Sequence, residues 1–170
     1  MTFILQEQRE KDVEESFRLY REYLRANESS FPRSAYRLAT SNWYWDPTFR
    51  GCPHDGWLKT LTINEPATGS RQENRTVEIR IELLGPYHDG VIEFFYPRVF
   101  GYQLEAVSLD GGHRDWVYDE LRMDERGNLV HEIEWSGVEP TARSLIVASD
   151  VFYTWSPNEE GVLHTDYADL

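Results

Sequence analysis

Val77-Glu-Ile-Arg-Ile-Glu-Leu83 decides the fold class. Val77, Ile79, Ile81 and Leu83 fall on one side of an extended chain, and Glu78, Arg80 and Glu82 on the other. Such alternation marks an antiparallel sheet that is dry on one face and wet on the other. Outward from it, short alternating runs predict strands over 57–63, 76–84, 91–96, 101–109, 116–123, 129–135 and 144–155. Between them, Leu84-Gly-Pro-Tyr-His-Asp-Gly90, Asp110-Gly-Gly112 and Met123-Asp-Glu-Arg-Gly-Asn128 put Gly where a hairpin needs positive φ. Asn64 to Asn74 is a polar loop, expected to be the most mobile internal segment. The last run is apolar on both faces, with Leu145, Val147, Val151, Tyr153 and Trp155 against Ile146, Ala148 and Phe152, so it is expected to be central or covered by a helix.

Before the strands, residues 6–26 predict one amphipathic helix, with Val13, Phe17, Tyr20 and Leu24 as its apolar stripe and Glu7–Lys11 and Glu14–Arg18 as i,i+4 pairs. A connector over 31–53 follows, with a short helix from Ser34 to Thr40 and the aromatic run Asn42-Trp-Tyr-Trp-Asp-Pro47. Trp43, Tyr44 and Trp45 either plug one end of the sheet or floor a pocket for a sugar or peptide side chain. The expected fold is α+β in a single domain over 1–170: the N-terminal helix packs on a curved, largely antiparallel sheet of six to seven strands within 54–156, and an acidic tail occupies 157–170. A partly closed barrel and a sandwich both stay open.

Composition bounds the partners. Thirty Asp and Glu against 17 Lys and Arg give a formal charge of -13, which repels phosphate backbones and anionic lipid surfaces. Nucleic acid and membrane are therefore not expected as partners, whereas a basic protein suits the charge. Cys52 is the single cysteine, so no internal disulfide forms; with no apolar run near the ~20 residues of a membrane span, the expectation is a soluble cytoplasmic protein. The start, Met1 to Leu5, has too short an apolar run for a signal peptide.

The candidate site residues come from a weak internal echo. His54-Asp-Gly-Trp57, His88-Asp-Gly-Val91 and His113-Arg-Asp-Trp116 each precede a strand. If every connection is a simple reversal, the three strands run the same way and bring His54, Asp55, Trp57, His88, Asp89, His113 and Asp115 to one rim, to which Trp43 and Trp45 add rings. Imidazole beside carboxylate suits Zn²⁺ or Fe²⁺ binding or acid–base chemistry, but alternate strands lie about 9.5 Å apart, so convergence needs curvature. A bulge at Tyr96-Pro-Arg-Val-Phe100 within one long strand would invert every later direction. Asp-Gly before a strand is also ordinary turn chemistry.

Alternation puts His131 on the apolar face of its strand, as a satisfied core residue rather than a ligand, and Asp150 among Ile146, Ala148 and Phe152, where a carboxylate needs a partner. Asp119 and Glu120 point to opposite faces and make no glycosidase pair. The chain lacks the G-x-S-x-G elbow, the phosphate loop, the dinucleotide fingerprint and the H-E-x-x-H helix. Cys52 and His54 are too constrained for a nucleophile–base pair. No catalytic residue, metal or cofactor is nominated.

The run His54-Asp-Gly-Trp-Leu58, Val77 to Leu83, Gly90-Val-Ile-Glu-Phe94, Asp115-Trp-Val-Tyr-Asp-Glu120 and His131-Glu-Ile133 resembles small uncharacterised bacterial proteins with an HD-x-W/L first strand, some of them thought to be immunity proteins for polymorphic toxins. The likeness spans roughly 52–155 and omits the helix. It implies a non-enzymatic protein that works by binding, its acidic balance complementing a basic toxin domain. Function is accordingly expected to be protein–protein interaction through an acidic, aromatic-bearing face. The alternative is a metal-binding or small-ligand-binding β-barrel using the rim histidines.

Overall fold

Asp12 begins a new helix just after a first one has ended at Glu10. In the computed structural model, which describes residues 2–105, 112–136 and 141–158, α1 is the single turn Gln6–Arg9 and α2 runs Val13–Asn27. Asp12 is the α2 N-cap, its carboxylate accepting from the Glu15 N–H at 3.0 Å. The continuous helix expected over 6–26 is thus broken by a capping residue. The buried side of α2 is Ser16, Tyr20 and Leu24, while Val13 is 51% exposed. Arg18 pairs with Glu15 and Glu22, and Glu7 with Arg143, in place of the expected helix pairs. The third helix, α3 at Arg33–Thr40, follows the expected short helix.

The strands are β1 (Trp57–Asn64), β2 (Ala67–Thr68), β3 (Asn74–Arg75), β4 (Val77–Leu84), β5 (Gly90–Leu104), β6 (Trp116–Met123), β7 (Leu129–Trp135), β8 (Ala142–Ala148) and β9 (Phe152–Pro157). They form a seven-stranded antiparallel sheet in the order β1-β4-β5-β8-β7-β6, with β9 also on β5; β2 and β3 make a separate hairpin inside the polar loop. The two strands expected over 91–96 and 101–109 are, in their described part, one long strand. Its first half pairs with β9 from Gly90↔Pro157 to Phe95↔Phe152, and its second half with β8 from Val99↔Ala148 to Leu104↔Ser144. The run expected as one strand over 144–155 is correspondingly split, and the Ser149 N–H bonds the Arg98 carbonyl at the change of partner. Asp150 lies in that break, half-buried, accepting from the Val151 N–H and the Ser34 hydroxyl. Residues 106–109, most of the Asp110-Gly-Gly112 turn and 159–170 of the acidic tail lie outside the described residues.

The sheet curls until its two edge strands touch at one point. Trp57 bridges Asp115, the Asp55 N–H donates to the Trp116 carbonyl at 2.8 Å, and the Trp116 N–H to the Gly56 carbonyl at 2.9 Å. Beyond this bridge the sheet is not closed, so it is a partly curved sandwich. The open edge of β6 is capped by α2: the Tyr20 hydroxyl accepts from the Leu121 N–H at 2.8 Å and donates to its carbonyl at 3.0 Å, and the Tyr23 hydroxyl accepts from the Met123 N–H. Covering an edge in this way removes an invitation to pair with other chains. The concave side holds one apolar cluster, in which Ile79, Ile81, Leu83, Ile92, Phe94, Leu121, Ile133 and Ile146 meet α2 and α3. Among the described residues no helix is long and apolar enough to cross a membrane.

Candidate functional site

Two polar arrangements compete for the role of site, one sealed inside the curl and one open on its outer face. The sealed one begins at Asp119, whose alternation on β6 turns it inward. Its Oδ2 accepts from the Tyr44 hydroxyl at 2.7 Å and from His131 Nε2 at 2.8 Å; its Oδ1 accepts from the Trp116 indole at 3.0 Å. With Nε2 as donor, His131 Nδ1 is the acceptor for the Tyr96 hydroxyl at 2.6 Å. All five residues are 1% exposed or less. Burial first, and then the Asp119 charge, push the Tyr44 and Tyr96 phenols well above their ordinary 10.0. Every donor has its acceptor and solvent has no way in, so this network fixes the core: His131 is a satisfied core histidine. Tyr44 reaches it from the aromatic connector, and that insertion is the plug; Trp43 packs on Phe49 and Tyr153, and Trp45 on Phe17 and Tyr20 with its indole N–H on the Ala39 carbonyl.

The rim residues meet only in part. β1 and β5 run the same way, but β6 runs against both, so the expected parallel alignment of all three fails for the reason that β5 continues through Pro97. Curvature nevertheless brings the start of β6 to the start of β1. Trp57 lies against His88 with ring centroids 4.4 Å apart, and it bridges Asp115 through the backbone. His54 packs on Tyr118 with its Nδ1 3.1 Å from Asp55, Asp89 pairs with Arg50 at 2.5 Å, and His113 turns away toward Trp135. Asp55, His88 and Arg114 carry positive φ of 64°, 57° and 67°. In the β4–β5 turn, positive φ therefore falls on His88 and not on a glycine. Gly90 is required for another reason: a Cβ there would stand 2.6 Å from the Trp155 ring. Among the described residues no group of three or more His, Cys, Asp or Glu could hold a metal ion. Cys52 is buried, and burial chiefly pushes its thiol up to about 12, which leaves it unreactive.

The open arrangement is the outer face of β1, β4, β5 and β9. Register gives it three rows: Trp57, Leu84, Val91 and Ser156; then Thr60, Glu82, Glu93 and Thr154; then Thr62, Arg80, Phe95 and Phe152. Trp57 is 49% and Phe152 47% exposed, and the Phe95 and Phe152 rings stack at 6.4 Å. Glu82 and Glu93 stand directly opposite each other, a pairing that destabilises the sheet carrying it. Arg80 relieves Glu93 alone, at 3.0 Å, while its guanidinium lies 3.9 Å from the Phe95 ring centroid. An acidic row between two ring-bearing rows suits a basic, ring-contacting surface. Of its residues the sequence singles out only Trp57, although Glu82 and Glu93 sit equidistant from the Tyr87–His88 turn and so oppose each other in any simple hairpin. Comparisons with protein-family models, with curated proteins and with solved structures find no match.

Proposed function

We propose that this chain is a non-enzymatic protein-binding protein, and that the outer face of β1, β4, β5 and β9 is what it binds with. The observation that carries the reading is the Glu82–Glu93 pair: two carboxylates held opposite each other, one without a cation among the described residues, between exposed Trp57 and Phe152. A basic side chain from a partner would relieve the repulsion, and the flanking rings supply the aromatic anchors typical of interface centres. The burial of the Asp119–His131 network also supports a binding role, since its titratable groups are out of reach of any substrate. Neutralisation of a basic toxin domain is the specific case that the HD-x-W/L resemblance implies. Affinity capture from an extract of the source organism tests this, using wild type, Trp57→Ala and Glu82→Lys as baits. A basic protein retained by wild type and lost from both variants is the expected result; capture that survives both substitutions, or no specific capture by wild type, refutes it.

A further inference from the structure

We propose that the groove between α2 and α3 is a second binding site, specific for a small carboxylate built on an aromatic ring; it shares no residue with the sheet face and stands independently of that reading. The groove has a volume of about 250 Å³, just under the range of drug-sized pockets, which suits a ligand of roughly a dozen non-hydrogen atoms. Tyr20, Leu24 and Ala39 form its floor, each 2% exposed or less, and Phe17, Tyr36 and Trp45 its walls.

The hydroxyl and indole groups of the lining are already engaged. The Tyr20 hydroxyl is held by Leu121, the Trp45 indole by the Ala39 carbonyl at 3.0 Å, and the Thr40 hydroxyl by the Tyr36 carbonyl at 2.7 Å. Beside the ring faces, the lining below the rim offers one further polar residue, Asn42. Charge at the rim comes from Arg21 and Arg25, one helical turn apart and both exposed. The neighbouring acids Glu15 and Glu22 are both taken by Arg18, which leaves Arg21 and Arg25 without an ion pair among the described residues. Glu28, outside the lining, hydrogen-bonds the Tyr36 hydroxyl, and Arg25 acts on the same phenol without an ion pair to Glu28. Among the described residues no carboxylate lines the groove, although the chain has 30 Asp and Glu. Two guanidiniums without an ion pair at the rim of an aromatic slot are a local exception to a field that otherwise repels anions, and guanidinium binds carboxylate bidentately. The ring fixes the ligand in the slot and the acid selects it.

Isothermal titration of the full chain with indole-3-acetate and with the uncharged indole-3-acetamide tests the assignment. Indole-3-acetate is expected to bind with a Kd of about 0.1–1 mM, and the amide at least about tenfold more weakly. Arg21→Ala and Arg25→Ala should each weaken the acid about tenfold, with unchanged circular dichroism because both residues are exposed, while Arg126→Ala, on the distant β6–β7 turn, binds as wild type. Equal affinity for acid and amide, no binding of the acid at about 10 mM, or arginine variants that bind as wild type would each overturn it.

Discussion

Replacing Asp119 by Ala removes the acceptor of three buried donors at once: the Tyr44 hydroxyl, the Trp116 indole N–H and the His131 imidazole N–H. Each orphaned buried donor costs about 1–3 kcal/mol, and because the three share one site the sum is less than additive, giving a loss of about 4–6 kcal/mol. Against a total stability of about 5–15 kcal/mol this is a large part of the fold. For a chain of this size it lowers Tm by about 8–24 °C. Asp119→Asn should fall between wild type and Asp119→Ala, since the amide oxygen still serves Tyr44 and His131 but its NH₂ faces the Trp116 N–H. Urea denaturation followed by Trp fluorescence and far-UV circular dichroism measures all three proteins. The sign is diagnostic: groups retained for catalysis commonly hold stability down, so a variant more stable than wild type, or one within about 1 kcal/mol of it, refutes the structural role.

Other expectations follow from single contacts. Tyr20→Phe leaves both backbone groups of Leu121 unpaired under α2 and should lose about 2–4 kcal/mol, with hydrogen exchange at the Leu121 amide accelerated; unchanged exchange would show that the hydroxyl does not cap the β6 edge. Burial raises the Glu120 carboxyl above its ordinary 4.5, against the pull of the Ile4 and Phe3 N–H groups, so its protonation favours the folded state. Its contribution is full below about 4.5 and is lost as pH rises through the raised value, so wild type should gain on Glu120→Gln as the pH falls from 7 toward 4.5, and a relative loss contradicts this. Iodoacetamide should leave Cys52 unmodified in the native protein at pH 8 and label it in urea, read by mass spectrometry; rapid native labelling would contradict the burial of its thiol.

Local pattern was legible where two-residue alternation met a single buried face. Ile79, Ile81 and Leu83 point inward as read, His131 is buried and satisfied, and Asp119 and Glu120 diverge. Legibility failed where a local signal had a nonlocal cause. Pro97 and Gly101 looked like a strand boundary, yet β5 continues through them because it exchanges β9 for β8 along one edge. Asp12 looked like one more charged position on a helix and is a cap. The partner of Asp119 is Tyr44, 75 residues away, which periodicity cannot supply. The His54 and His88 loops share a rim because β1 and β5 run the same way, and the Asp115 loop reaches it only by curvature; the Glu82–Glu93 pairing follows from the symmetry of the Tyr87–His88 turn.

The most direct measurement is the stability of Glu82→Gln. If the outer face keeps two opposed carboxylates for a basic partner, removing one should raise stability by about 0.3–0.5 kcal/mol at low salt, with the gain shrinking at about 1 M salt, while binding to that partner weakens. A variant that is less stable than wild type, or that binds the partner undiminished, would contradict the account.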